Sequence, residues 1–377
     1  MSSLGSSSQG QKRSSRSNNI SYTSSTGQTL RSSAYDRDFE QKCNDHQIYM
    51  PREDTEPENW QELQERLTRS RRSLSPSQFS DGKIKEFRKA ETEARDEGDV
   101  VRDSLPTILG PNRRDYPSAG NVPFGNIDDM APDVFKKPKP DLYWGARPAQ
   151  IDQRIRQDLK SQLVPSTNHS YPAAPNFFLE VKGPDGSAAV KTRQACYDGA
   201  LGARAMQALQ SYGQAEPTYD NRAYTFSSTY HDSTLKIYSH HPNQLSHPGG
   251  STQYHMTQLG GWYLKGSNRA FRDGVGAFRN TRDLATEQRD MLIDRANVVA
   301  RTRSADAMSF DEPNRMQSSD ISFDESNSQN TITSPGGRLV ESDTSVDESS
   351  FHHLPDTSRT KRRKADDDSK AGDDILN

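Results

Sequence analysis

A carboxylate and an ammonium stand two residues apart in the stretch Asn176-Phe177-Phe178-Leu179-Glu180-Val181-Lys182-Gly183. Side chains alternate along an extended strand, so Glu180 and Lys182 share a face with Phe178, while Phe177, Leu179 and Val181 take the other. An acid beside a base on one face of an otherwise apolar strand is hard to explain by packing alone. The plain alternative is an edge strand carrying a solvated ion pair, worth about 0–1 kcal/mol. Other chemistries have less support. His231, His240, His241, His247 and His255 are dense, but their spacing does not match a zinc pattern and no Cys lies near them. They read mainly as surface and turn residues. No Walker loop, nucleophile elbow or dinucleotide fingerprint occurs. Arg147, Arg154, Arg156, Lys191, Arg193 and Arg204 surround the strand in sequence. Gathered on one surface they would hold phosphates with salt-dependent affinity. Acidic residues interleave them, so a plain solvated surface is the competing reading.

Several elements have to position that strand. Before it, Asp141-Leu142-Tyr143-Trp144-Gly145 reads as a short apolar strand that follows the extended, basic Lys136-Lys137-Pro138-Lys139-Pro140. Ile151, Ile155, Leu159 and Leu163 recur every four residues and predict a helix over 151–164. After the strand, Gly183-Pro184-Asp185-Gly186 makes a tight turn and Ser187 caps a long helix that ends near Gly213. That helix is rich in Ala and Gly, so it approaches a sheet closely. A two-stranded element around 224–240, a further strand over 254–264 and a helix from Phe271 to Ala296 complete the series. Upstream, Asn59 is placed to cap a helix carrying Trp60, Leu63 and Leu67, and a second helix starts at Ser80 with Ile84, Phe87, Ala90 and Ala94 on one side. Both helices are expected to lie against the main domain.

The order of strand with Pro140-Asp141, helix, strand with Glu180-x-Lys182, turn and helix resembles the PD-(D/E)xK nuclease superfamily. The resemblance implies an α/β fold, a restriction-endonuclease-like central mixed sheet flanked by helices. It implies that Asp141 and Glu180 together hold Mg2+ or Mn2+. Lys182 would orient or activate the attacking water and steady the charge developing on a phosphate. Hard divalent cations take oxygen ligands and keep several waters, so two carboxylates from adjacent strands suffice for an open site. Gln194 and Tyr197 fall one residue short of the Gln-x-x-x-Tyr spacing of the RecB-like branch, and Gln194 would assist near the metal. An ordinary amphipathic helix with one buried amide accounts for the same residues. More closely, the chain is similar to a family of uncharacterised fungal proteins with a domain of unknown function. Tyr35-Asp36-Arg37-Asp38-Phe39, Ser73-Leu74-Ser75-Pro76-Ser77 and the stretches 175–186, 192–203 and 225–232 carry that likeness.

Composition sets the limits. Across 377 residues the hydrophobic content is 30% and the mean hydropathy −1.02, too low for a packed core over the whole length. The chain therefore divides into a disordered Ser-rich tail (1–33), a helical and loop-rich N-terminal extension (34–125), an α/β core (126–301) and a disordered acidic Ser-rich tail (302–377). With a net charge of −3 the molecule as a whole does not attract nucleic acid, and any basic surface is local. Two distant cysteines give no disulfide framework. The opening residues lack a signal-peptide core and no apolar run approaches a membrane span, so no membrane partner is expected. The cluster Lys361, Arg362, Arg363 and Lys364 is of the nuclear-import type, which makes an import receptor an expected partner and the nucleus the expected location. The expected activity is metal-dependent phosphodiester hydrolysis in nucleic acid, with DNA preferred to RNA as the partner. Against it stand a non-catalytic binding module of the same fold and a nuclear scaffold acting through its tails. Oligomeric state is not legible.

Overall fold

The computed structural model describes residues 31–310 except 53, 112–114 and 245–250, with side chains described only to 303. The Lys361–Lys364 cluster and both expected tails beyond these bounds lie outside the described residues. In chain order the elements are α1 (Phe39–Asp45), β1 (Ile48–Tyr49), α2 (Trp60–Leu67), α3 (Asp81–Glu93), α4 (Glu97–Asp99) and α5 (Leu105–Leu109). A π-helical turn, Val100–Ser104, joins α4 to α5. Then come β2 (Ser118–Ala119), β3 (Leu142–Ala146), α6 (Gln153–Asp158), α7 (Lys160–Leu163), β4 (Ala173–Val181), α8 (Ala188–Gln210), β5 (Thr225–His231), β6 (Thr234–Gln244), β7 (Thr252–Tyr263) and α9 (Asn268–Phe310).

The seven strands form one mixed sheet in the order β1-β7-β6-β5-β4-β3-β2. The β3–β4 pair is antiparallel, whereas β4 and β5 run parallel and therefore require a crossover, which α8 supplies. All nine residues of β4 are buried, as expected of a strand covered on both faces. On one face Phe177, Leu179 and Val181 join a cluster with Leu63, Leu67, Ile84, Phe87, Leu105, Ile108 and Phe278, contributed by α2, α3, α5 and α9. On the other, Phe178 packs with Tyr143, Tyr238 and the inner side of α8. The result is a mixed α/β fold with helices on both faces of the sheet. No helix among the described residues is long and apolar enough to cross a membrane.

Small residues set how closely α8 sits. A methyl group at Gly202 would lie 2.7 Å from Thr225 Cγ2 and 2.8 Å from the Phe178 ring, and one at Gly199 would overlap the His240 imidazole. Ser187 caps the helix by accepting the Val190 N–H at 3.4 Å, and Gly213 beyond its end has a φ of +86°, a conformation that favours glycine.

Two local readings change. The helix expected over 151–164 is broken into α6 and α7 at Leu159, whose φ of −108° and ψ of 24° are not helical. Past the break the Ser161 carbonyl accepts the Asp128 N–H at 2.9 Å, a partner from a loop rather than from the helix. Asn59 makes no side-chain cap for α2. Its amide instead donates to the Ala223 carbonyl (3.0 Å) and accepts the Ala223 N–H (2.9 Å), pinning α2 to the entry of β5.

Candidate functional site

The register that pairs Leu142 with Leu179 puts Asp141 directly opposite Glu180. The same cross-strand row continues through Thr229 on β5 to Lys236 on β6. Alternation along β4 turns this row, with Lys182, toward α8. The two acids are interlocked through the backbone: the Asp141 N–H donates to Glu180 Oε1 at 3.3 Å, and the Val181 N–H donates to Asp141 Oδ2 at 2.8 Å. The Lys182 ammonium lies 3.7 Å from Asp141 Oδ2, donates to the Val181 carbonyl at 2.9 Å and pairs with Glu97 Oε2 at 3.2 Å. The structure thus brings Asp141, Glu180 and Lys182 together at the end of the β3–β4 pair.

Two acids absent from the sequence reading complete the cluster. Asp198, buried on α8, stands against Glu180. Glu97 enters from the first turn of α4, which approaches so closely that a methyl on Gly183 would lie 2.5 Å from the Glu97 nitrogen. The helical period offers a signal for Asp198, because it lies four residues after Gln194 on one stripe. Nothing in the sequence signals Glu97, 85 positions before Lys182 in a heavily charged stretch.

Glu180 is fully buried, while Asp141 and Asp198 are 7% and 3% exposed. Burial, then the charges of Asp141 and Asp198, raise the Glu180 carboxyl well above its ordinary range. Burial likewise pushes Asp198 up to about 8, against the hydrogen bond with Glu180, and raises Asp141 despite Lys182. Glu180 Oε2 finds no donor when both acids are ionised. A proton on either carboxyl would form the bond between Glu180 and Asp198, so the pair retains one at neutral pH. For Lys182, burial pulls the ammonium down, yet Asp141, Glu97 and Glu180 together raise it above its ordinary value. It is a charged donor, not a base.

These donors suit a hard cation, which would replace the proton between Glu180 and its neighbours and satisfy the orphaned Oε2. Among the described residues no three His, Cys, Asp or Glu side chains form a cage that would hold an ion by themselves. Two carboxylates completed by water or phosphate oxygens are the usual arrangement for Mg2+.

Gln194 is half-buried one turn before Asp198, and its Oε1 is buried without a hydrogen-bond partner. Tyr197 does not share that surroundings. It packs against Phe39 and Phe135, and its hydroxyl accepts the Met130 N–H at 3.4 Å. At least three of the six basic residues near the strand in sequence are already engaged: Arg193 with Glu40, Arg204 with the Asp128 and Asp129 carbonyls, Arg156 with the Ile151 carbonyl. Two of the histidines are not the surface residues expected, whereas His231 and His255 are half-buried and His247 lies outside the described residues. His240 and His241 are buried, held neutral by burial at about 3 and about 4, and His240 Nε2 bonds Ser227 Oγ at 2.7 Å.

No curated protein and no solved structure matches this chain. A family described as "Domain of unknown function (DUF7924)" matches residues 84–295, a span that includes Glu97, Asp141, Glu180, Lys182, Gln194 and Asp198. That span is more than half of the chain, and the chain belongs to this DUF7924 family.

Proposed function

We propose that this domain is a metal-dependent phosphodiesterase of the PD-(D/E)xK type acting on nucleic acid. One observation carries the reading: Asp141 and Glu180 face each other across adjacent antiparallel strands, with the Lys182 ammonium 3.7 Å from Asp141 Oδ2. In this reading Asp141 and Glu180 hold Mg2+ or Mn2+, and Asp198 is a further carboxylate beside them. The ion, when bound, supplies an acidified water and neutralises charge on a phosphoryl oxygen. Lys182, kept cationic by its three acids, donates to the water or to the phosphate and steadies the developing charge. Glu97 and the Val181 carbonyl fix where that ammonium points. Gln194 offers an uncommitted amide on the same side of α8.

The test is cleavage of duplex and single-stranded DNA and of RNA by the whole protein, with Mg2+, Mn2+ or EDTA. Cleavage that needs the metal and falls at least 100-fold in a Glu180→Ala, Lys182→Ala protein is the expected result. Undiminished cleavage by that double variant sinks the assignment. A second reading, a binding module that retains the fold without hydrolysis, is favoured by the complete burial of Glu180 and by the contacts that already occupy Lys182. Retention of DNA with no cleavage under either metal selects it.

A further inference from the structure

One charged group near the carboxylates has no structural role so far. Lys191, on the first turns of α8, is 4% exposed. Its side chain makes no hydrogen bond or ion pair with any described residue. The stem is buried while the ammonium keeps a small opening to the surface, where it is answered by water or by an anion from outside the chain. Its electrostatic neighbours are cations, Lys236 on β6 and Lys182 on β4. Burial, then these two charges, push it down to about 7. Gln194, one turn on, adds an amide that is also without a hydrogen-bond partner. Lys236 lies at the end of the row that begins with Asp141 and Glu180, so the cations border the acids on the same face of the sheet.

We propose that Lys191, with Gln194 and Lys236, forms a phosphate-binding subsite beside the carboxylate cluster, taking a backbone phosphate of a nucleic-acid strand. A compact ammonium suits a phosphate as a point charge. One anion would compensate Lys191 and Lys236, whereas Lys182 already has Glu97 and Asp141 beside it. This assignment rests on the phosphodiesterase reading for the identity of its ligand, not for the existence of the subsite.

The experiment measures binding of a fluorescent 20-base-pair duplex and of inorganic phosphate by the whole protein, in EDTA throughout. The proteins compared are wild type, Lys191→Met and Lys191→Arg. The expected result is about a tenfold weaker duplex Kd for Lys191→Met, with Lys191→Arg within about threefold of wild type. Because Lys191→Met removes an unpaired buried cation, it is expected to melt at or above the wild-type temperature. A lower melting temperature means that the fold itself holds the ammonium, and it overturns the proposal. So does a duplex affinity that Lys191→Met leaves unchanged. Phosphate binding that needs Lys191 while duplex binding does not assigns the subsite to a free anion and also overturns the nucleic-acid claim. Working without metal keeps the two readings apart: Lys191-dependent binding with no cleavage under Mg2+ or Mn2+ removes the nuclease and leaves the subsite standing.

Discussion

At the scale of single residues the site is governed by a proton. Glu180 and Asp198 cannot both be ionised comfortably in a buried layer that also contains Asp141, so the folded chain keeps a proton that the unfolded chain releases near 3.8. Folding is then linked to pH. Between about 4 and 8 the native state binds the extra proton, so stability falls as pH rises through that range. Asp198→Asn removes an ionisable partner while retaining an amide that donates to Glu180. Relative to wild type, the variant is expected to gain at least about 1.4 kcal/mol between pH 6 and pH 9, the equivalent of one pKa unit. Urea unfolding at the two pH values checks it. Parallel pH dependences of the two proteins would mean that no proton is shared there.

At the scale of elements, the geometry depends on how closely α8 lies against β4, β5 and β6. Gly199 is the tightest of these approaches, against the His240 ring that bonds Ser227. Helix propensity alone would make Gly199→Ala stabilising by about 1 kcal/mol. Overpacking a rigid contact costs about 1–3 kcal/mol, and the ring has no room to retreat without breaking the Ser227 bond. We therefore expect a net loss of stability, read as a lower Tm by calorimetry, and an unchanged or raised Tm would show that α8 slides freely over the sheet. The same elements explain what the sequence discloses. A period of two is enough to put Glu180 and Lys182 on one face, and the Pro140-Asp141 step before an apolar run places Asp141 at a strand start. Asp198 escapes notice because it sits in a helix of small residues, where the sequence spacing singles out Tyr197 beside Gln194; Tyr197 instead belongs to the Phe39–Phe135 cluster. His240 and His241 mislead because polar residues at strand positions resemble turn residues until the covering helix is known.

At the scale of the whole molecule, the division between an N-terminal extension and a core takes on an energetic meaning. The carboxylate cluster is assembled from residues 141–198, yet Lys182 is held by Glu97, and Gly183 leaves the space through which α4 approaches. The apolar face of β4 tells the same story. Phe177, Leu179 and Val181 are buried together with Leu63, Leu67, Ile84, Phe87, Val101, Leu105 and Ile108, all contributed from before residue 126. Burying each such side chain is worth about 1.5–3 kcal/mol. Losing seven of them outweighs the roughly 5–15 kcal/mol by which a typical domain is stable. A fragment of residues 126–301 is therefore expected to lack a cooperative unfolding transition, whereas one spanning 31–310 melts cooperatively. Circular dichroism melts of the two fragments decide the matter. A sharp transition in the shorter fragment would show that α2, α3 and α5 decorate a core that stands without them, and Glu97 would then be an accessory to the site rather than part of its frame.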